Sequence, residues 1–72
     1  MNDREQYASL TGRERDVVRL VGQGYSAPEI AARLTISPKT VDTYKHRIQQ
    51  KLDFTHRSDY VQFVLRLGLL GT

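Results

Sequence analysis

The chain has 72 residues, 11 of them Lys or Arg against 8 Asp or Glu, a formal net charge of +3, and no Cys. A single domain of this size buries only about 60% of the surface its unfolded form exposes, which leaves no room for a substrate cavity with a catalytic constellation, so no enzyme and no cofactor are expected. Disulfides and thiolate metal sites are excluded, no apolar run approaches the roughly 18 residues of a membrane helix, and the first six residues lack the apolar core of a signal peptide; a cytoplasmic location is the expectation.

Residues 1–9 show no sustained periodicity and are expected to form a tail or linker, with the folded domain over residues 10–70. Thr11 is a good helix N-cap, and Glu14 three residues later completes a capping box. Val17, Val18, Leu20 and Val21 then form an apolar stripe at helical spacing, and the helix is expected to end near Gln23 with Gly24 as its terminal glycine. A second helix starts at Ser26, again with a Glu three residues on, and has Pro28 in its first turn, where a missing N–H costs little. Ile30, Ala31 and Leu34 face inward, and Thr35-Ile36 makes a turn with Ile36 as a core plug.

Ser37-Pro38 opens a third helix, with Ser37 as N-cap and Pro38 at the first helical position. Val41, Ile48 and Leu52 align on one side with Tyr44 beside them. Lys39, Thr43, His46 and Gln50 fall on the opposite side, flanked by Asp42 and Arg47. A turn at Asp53-Phe54-Thr55 leads to a fourth helix that starts near Thr55 or His56 and ends at Gly68. With no strand alternation, the fold class is all-α, with four short helices.

Positive charge is unevenly placed. The first 32 residues hold four basic and five acidic side chains, whereas Arg33 to Arg57 holds six basic side chains against Asp42 and Asp53. Two short helices three residues apart, the second basic and rich in hydrogen-bonding groups, is how a helix-turn-helix looks when its second helix enters a DNA major groove. Double-stranded DNA is therefore the expected partner. Lys39 can reach a phosphate or a guanine edge, and Thr43 offers a hydroxyl and a methyl. His46 and Gln50 can hydrogen-bond, Gln50 more readily to the backbone, while Arg47, Lys45 and Lys51 supply charge for phosphates. Ser26 and Thr40 hydroxyls stand at helix N-termini that favour anions, although Ser26 serves equally well as a cap alone. His46 and His56 do not make a metal site, being ten residues apart with no shared carboxylate at ligand spacing.

In the fourth helix Val61, Val64 and Leu65 read as the core stripe. Tyr60, Phe63 and Leu67 then form a second apolar face, which either pairs with another segment of the chain, residues 1–10 or Leu69-Leu70, or makes a homodimer contact.

The run Leu10-Thr11-x-Arg13-Glu14, Val17-Val18-x-Leu20-Val21-x-x-Gly24, Ser26, Glu29-Ile30-Ala31, Leu34, Ile36-Ser37, Thr40-Val41, Ile48, Lys51-Leu52 and Arg57 resembles the LuxR/FixJ/NarL-type helix-turn-helix domain over residues 10–70. The resemblance implies a bacterial transcriptional regulator with the third helix as reader and the fourth as dimer contact. It also implies that Lys39, Thr43, His46 and Arg47 stand where family members contact DNA. Many members carry Lys and His where this chain has Asp42 and Tyr44, so base preference does not transfer. The Leu52-Asp53-Phe54 turn lacks the more usual Gly. The family's domain is usually the C-terminal output half of a two-component response regulator, with Leu69-Leu70-Gly71-Thr72 as its natural end. A complete stand-alone regulator is the alternative, and a helical module docking onto RNA polymerase is a reading of a different class.

Overall fold

Local capping chemistry sets where the helices begin. The computed structural model describes residues 2–68 as five helices: α1 (Asp3–Ala8), α2 (Gly12–Gly22), α3 (Ala27–Leu34), α4 (Pro38–Leu52) and α5 (Arg57–Leu67). Thr11 and Ser26 close capping boxes with Glu14 and Glu29. Ser37 Oγ accepts from the Thr40 N–H at 3.1 Å. At α5 the work falls to Asp59, whose carboxylate accepts from the His56 and Thr55 N–H groups at 2.9 and 2.8 Å. The four expected helices are thus present as α2 to α5, with Gly24 and Gly68 at positive φ just past α2 and α5.

α1 is an addition to the expected set. Its six residues carry no stripe, but Asn2 caps it, with its Oδ1 accepting from the Glu5 N–H at 2.8 Å. The Arg15 guanidinium of α2 donates to the Tyr7 and Ala8 carbonyls at 3.1 and 2.9 Å, satisfying the end of α1. Asp3 pairs with Arg66 of α5 at 2.7 Å. A segment read as a tail therefore packs onto α5.

α2 is the hub, lying against α5, α4 and α3, while α3 packs on α4. Val17, Val18, Ile30, Val41, Ile48, Phe63 and Val64 are fully enclosed between them. Gly22 is more than a helix weakener. A Cβ there would overlap the Val64 side chain and sit 3.0 Å from the Tyr60 carbonyl oxygen, so the missing side chain is what lets α2 and α5 approach.

The expected face of α5 requires correction. Tyr60 and Phe63, assigned above to a second apolar face, are 5% and 0% exposed and belong to the core, whereas Leu65 is 51% exposed and Val61 half-buried. Only Val64 of the expected stripe is buried. Aromatic partners set the rotation: the Phe54 ring stands edge-on to Tyr60 at 5.0 Å and to Phe63 at 5.3 Å, and Tyr7 of α1 lies 6.3 Å from Phe63. Leu67 packs half-buried against the same cluster. Leu69 and Leu70, offered as one possible cover for that face, lie outside the described residues.

Candidate nucleic-acid interface

α3 and α4 are joined by a turn of three residues, Thr35 to Ser37. Thr35 adopts the left-handed conformation, φ 59 and ψ 45, and the Ile36 N–H reaches back to the Ala31 carbonyl at 3.0 Å. Ile36 then packs against the core, so the turn is pinned by an apolar anchor one residue past a left-handed cap. Ser37 restarts the helix at once. The angle between α3 and α4 is thereby built from local bonds, and Val41 and Ile48 hold α4 to the core with no exposure at all.

That burial fixes which side of α4 faces out. Lys39, Asp42, Thr43, His46, Arg47 and Gln50 are all exposed, as expected. Thr43 Oγ1 donates to the Lys39 carbonyl at 3.2 Å, which holds its methyl outward and leaves an acceptor lone pair. Thr40 is half-buried and shares a 2.8 Å hydrogen bond with Ser37 Oγ. The Arg47 guanidinium lies 5.8 Å from the Tyr44 ring centroid, so Tyr44 braces it from the core side. Ser26, half-buried at the start of α3, accepts from the Glu29 N–H at 3.3 Å and keeps its hydroxyl proton available.

Lys51 does not join this row. Its Nζ donates to Glu14 Oε1 at 2.8 Å, and the same oxygen accepts from the Thr11 N–H at 2.8 Å. Lys51, expected at a phosphate, gives part of its charge to the fold by tying the end of α4 to the start of α2, and its side chain is 40% exposed. The sequence gives no sign of the pairing beyond the presence of Glu14, because that residue reads fully as a capping-box member. Other cations are also committed within the fold: Arg66 to Asp3, Arg13 and Arg19 to Asp16, and Arg33 over the Tyr25 ring at 4.1 Å. Lys39 has no such partner among the described residues.

Among the described residues no cluster of His, Asp or Glu is arranged to hold a metal ion, and no helix is long and apolar enough to cross a membrane. Two capped helices joined by a pinned turn, the second exposing a polar and basic face, define a helix-turn-helix of the DNA-binding class. The chain belongs to the luxR family of bacterial regulatory proteins, whose family model matches residues 8–64. Among its relatives, the Mycobacterium bovis protein Mb0914c, named as an HTH-type transcriptional regulator, is 45% identical over 62 residues, which make 86% of this chain and 7% of that protein. The transcriptional regulatory protein YhcZ of Bacillus subtilis is 39% identical over 69 residues, 96% of this chain and 32% of its own. The oxygen regulatory protein NreC of Staphylococcus carnosus is 35% identical over 66 residues, 92% and 30% respectively. The chain therefore spans less than a third of the length of these three relatives. No solved structure gives a significant match.

Proposed function

We propose that this chain reads double-stranded DNA sequence-specifically as the output domain of a bacterial two-component response regulator, working in the cytoplasm. The observation that carries the reading is the exposed face of α4, where Lys39, His46, Arg47 and Gln50 stand out from a helix locked by Val41 and Ile48. α4 lies in the major groove with Thr43, His46 and Asp42 at base edges, and Lys39, Thr40, Arg47, Gln50 and Ser26 at phosphates or the groove margin. Asp42, acidic in a basic helix, suits a cytosine amino group. The response-regulator context rests on the similarity to YhcZ and NreC, in which this chain matches about a third of the length.

Pairing of two copies on DNA through α5 is part of the same proposal. With Tyr60 and Phe63 inside the core, the surface left for it centres on Leu65 and Val61.

Selection from a random duplex pool, followed by titration across salt, tests the reading. With about four phosphate contacts, log affinity should fall against log salt with a slope of roughly −3 to −4. Lys39→Ala and Arg47→Ala should weaken all sequences alike, while Thr43→Ala and His46→Ala shift the selected site at a cost of about 1–3 kcal/mol for a base that is directly read. Salt-independent binding, or an unchanged selected site in all four variants, would contradict it.

A further inference from the structure

A cleft of about 250 Å³ opens beside the exposed face of α4. Asp42, Lys45 and His46 line it from α4, and His56 and Arg57 face them from the start of α5. The floor is Val21, Phe54 and Tyr60, which are 2%, 9% and 5% exposed. So little apolar surface is offered that a hydrophobic ligand finds no grip. The walls instead bring together two permanent cations and two imidazoles against one carboxylate. The side chains of Lys45 and His46 have no hydrogen-bond or ion-pair partner among the described residues. His56 places Nδ1 2.9 Å from Thr55 Oγ1, which leaves Nε2 for another partner. Arg57 makes one long bond, 3.4 Å, to the Tyr25 carbonyl and has its other donors to give.

The position of the cleft says which anion meets it. An α-helix with its side chains is about 10–12 Å across, and the major groove is about 12 Å wide. A helix lying in the groove therefore has a row of phosphates along each flank. Asp42 and His46 belong both to the exposed face of α4 and to the rim of the cleft, so the cleft opens towards one of those rows. We propose that it seats a DNA backbone phosphate, held by Lys45, His56 and Arg57 with His46 at the rim. Asp42 repels that phosphate from the α4 side and so biases it towards the start of α5. α4 is then gripped on both flanks, by this seat on one side and by Thr40 and Arg47 on the other. The proposal rests on the DNA reading of α4 and adds α5 to the contact surface.

Methylphosphonate scanning tests it. Single backbone phosphates of the selected duplex are replaced by neutral methylphosphonates, and affinities are measured for the wild-type chain, Lys45→Gln and His56→Gln. At one or two adjacent positions in each half-site, neutralisation should weaken the wild type roughly three- to tenfold, the scale of a charge-assisted hydrogen bond to a partly solvated group. Each variant should bind unmodified duplexes of every sequence more weakly, lose its sensitivity at those same positions only, and keep the wild-type preference in a random pool. The two substitutions lie on different helices, so a folding defect in one leaves the other to decide. Variants that retain the complete wild-type scan, or that change base preference, overturn the phosphate seat while the DNA reading stands. A wild-type chain that binds no duplex at low salt overturns both.

Discussion

Glu14 carries two loads at once, as the cap of α2 and as the partner of Lys51. Its side chain is 2% exposed and that of Lys51 is 40%. Burial pushes the Glu14 carboxyl up, but the Lys51 hydrogen bond, the Thr11 N–H and the Lys51 charge outweigh it and hold the group below its ordinary 4.5. Glu29 and Asp59 are held low as well, chiefly by the backbone N–H groups of Ser26 and His56. A carboxyl depressed by folding contributes stability that is complete above its unfolded value and is lost as pH falls through the folded one. The domain should therefore weaken as pH drops below about 4.5, the ordinary value for Glu. Glu14→Gln should cost about 1–2 kcal/mol at neutral pH, less than for a fully buried pair because Lys51 can turn to water, and should flatten the acid loss. Urea unfolding across the acid range checks both; an equally steep loss in the variant would assign the acid sensitivity to other groups. Two side chains of α5 separate core from surface just as directly. Phe63→Ala should cost about 3–5 kcal/mol, enough to unfold much of so small a domain, whereas Leu65→Ala should stay within about 0.5 kcal/mol. Comparable losses in thermal melts would mean that α5 is turned the other way.

At the level of helices and turns, both ends of α4 are flanked by a non-glycine residue in the left-handed region. Thr35 has φ 59 before α4, and Asp53 has φ 59 after it. That conformation costs an L-residue roughly 1–2 kcal/mol, and a β-branched side chain tolerates it worst. Thr35→Gly should stabilise the domain by about 0.5–1 kcal/mol once the entropy of a new glycine is subtracted. Asp53→Gly should gain less, because Asp enters this region more readily. A lower urea midpoint for Thr35→Gly would show that the threonine side chain holds the turn in some other way. The helix starts were legible in the sequence because capping is a conversation between residues three apart. α1 escaped notice because six residues show no stripe, although Asn2 and Glu5 repeat the spacing read correctly at Thr11 and Ser26. The exposed face of α4 was legible because Val41, Ile48 and Leu52 fix its rotation unambiguously. α5 was not, since Tyr60, Val61, Phe63, Val64, Leu65 and Leu67 surround it with apolar groups and periodicity cannot choose among them. Phe54 and Tyr7 make the choice, and both come from outside the helix. The Lys51–Glu14 pair was not legible for a similar reason: the two residues lie 37 positions apart.

Across the whole molecule, contacts divide into near and far. α3 meets its sequence neighbour α4, but α2 must find α5, and Asp3 must find Arg66 across 63 positions. Closing a long loop carries an entropic cost that must be met before the contacts it permits can form. The close approach of Gly22 to Val64 therefore has a consequence in time as well as in space. The α3–α4 pair can assemble early from local contacts, and the docking of α5 onto α2 comes late and acts as a clasp. Stopped-flow kinetics should then show Val64→Ala mainly speeding unfolding, and Ala31→Gly mainly slowing refolding; the opposite pattern would reverse the order. A late clasp means that the exposed face of α4 takes its final orientation only when the last helix arrives, so an unfinished chain would carry that face on a helix not yet held rigid.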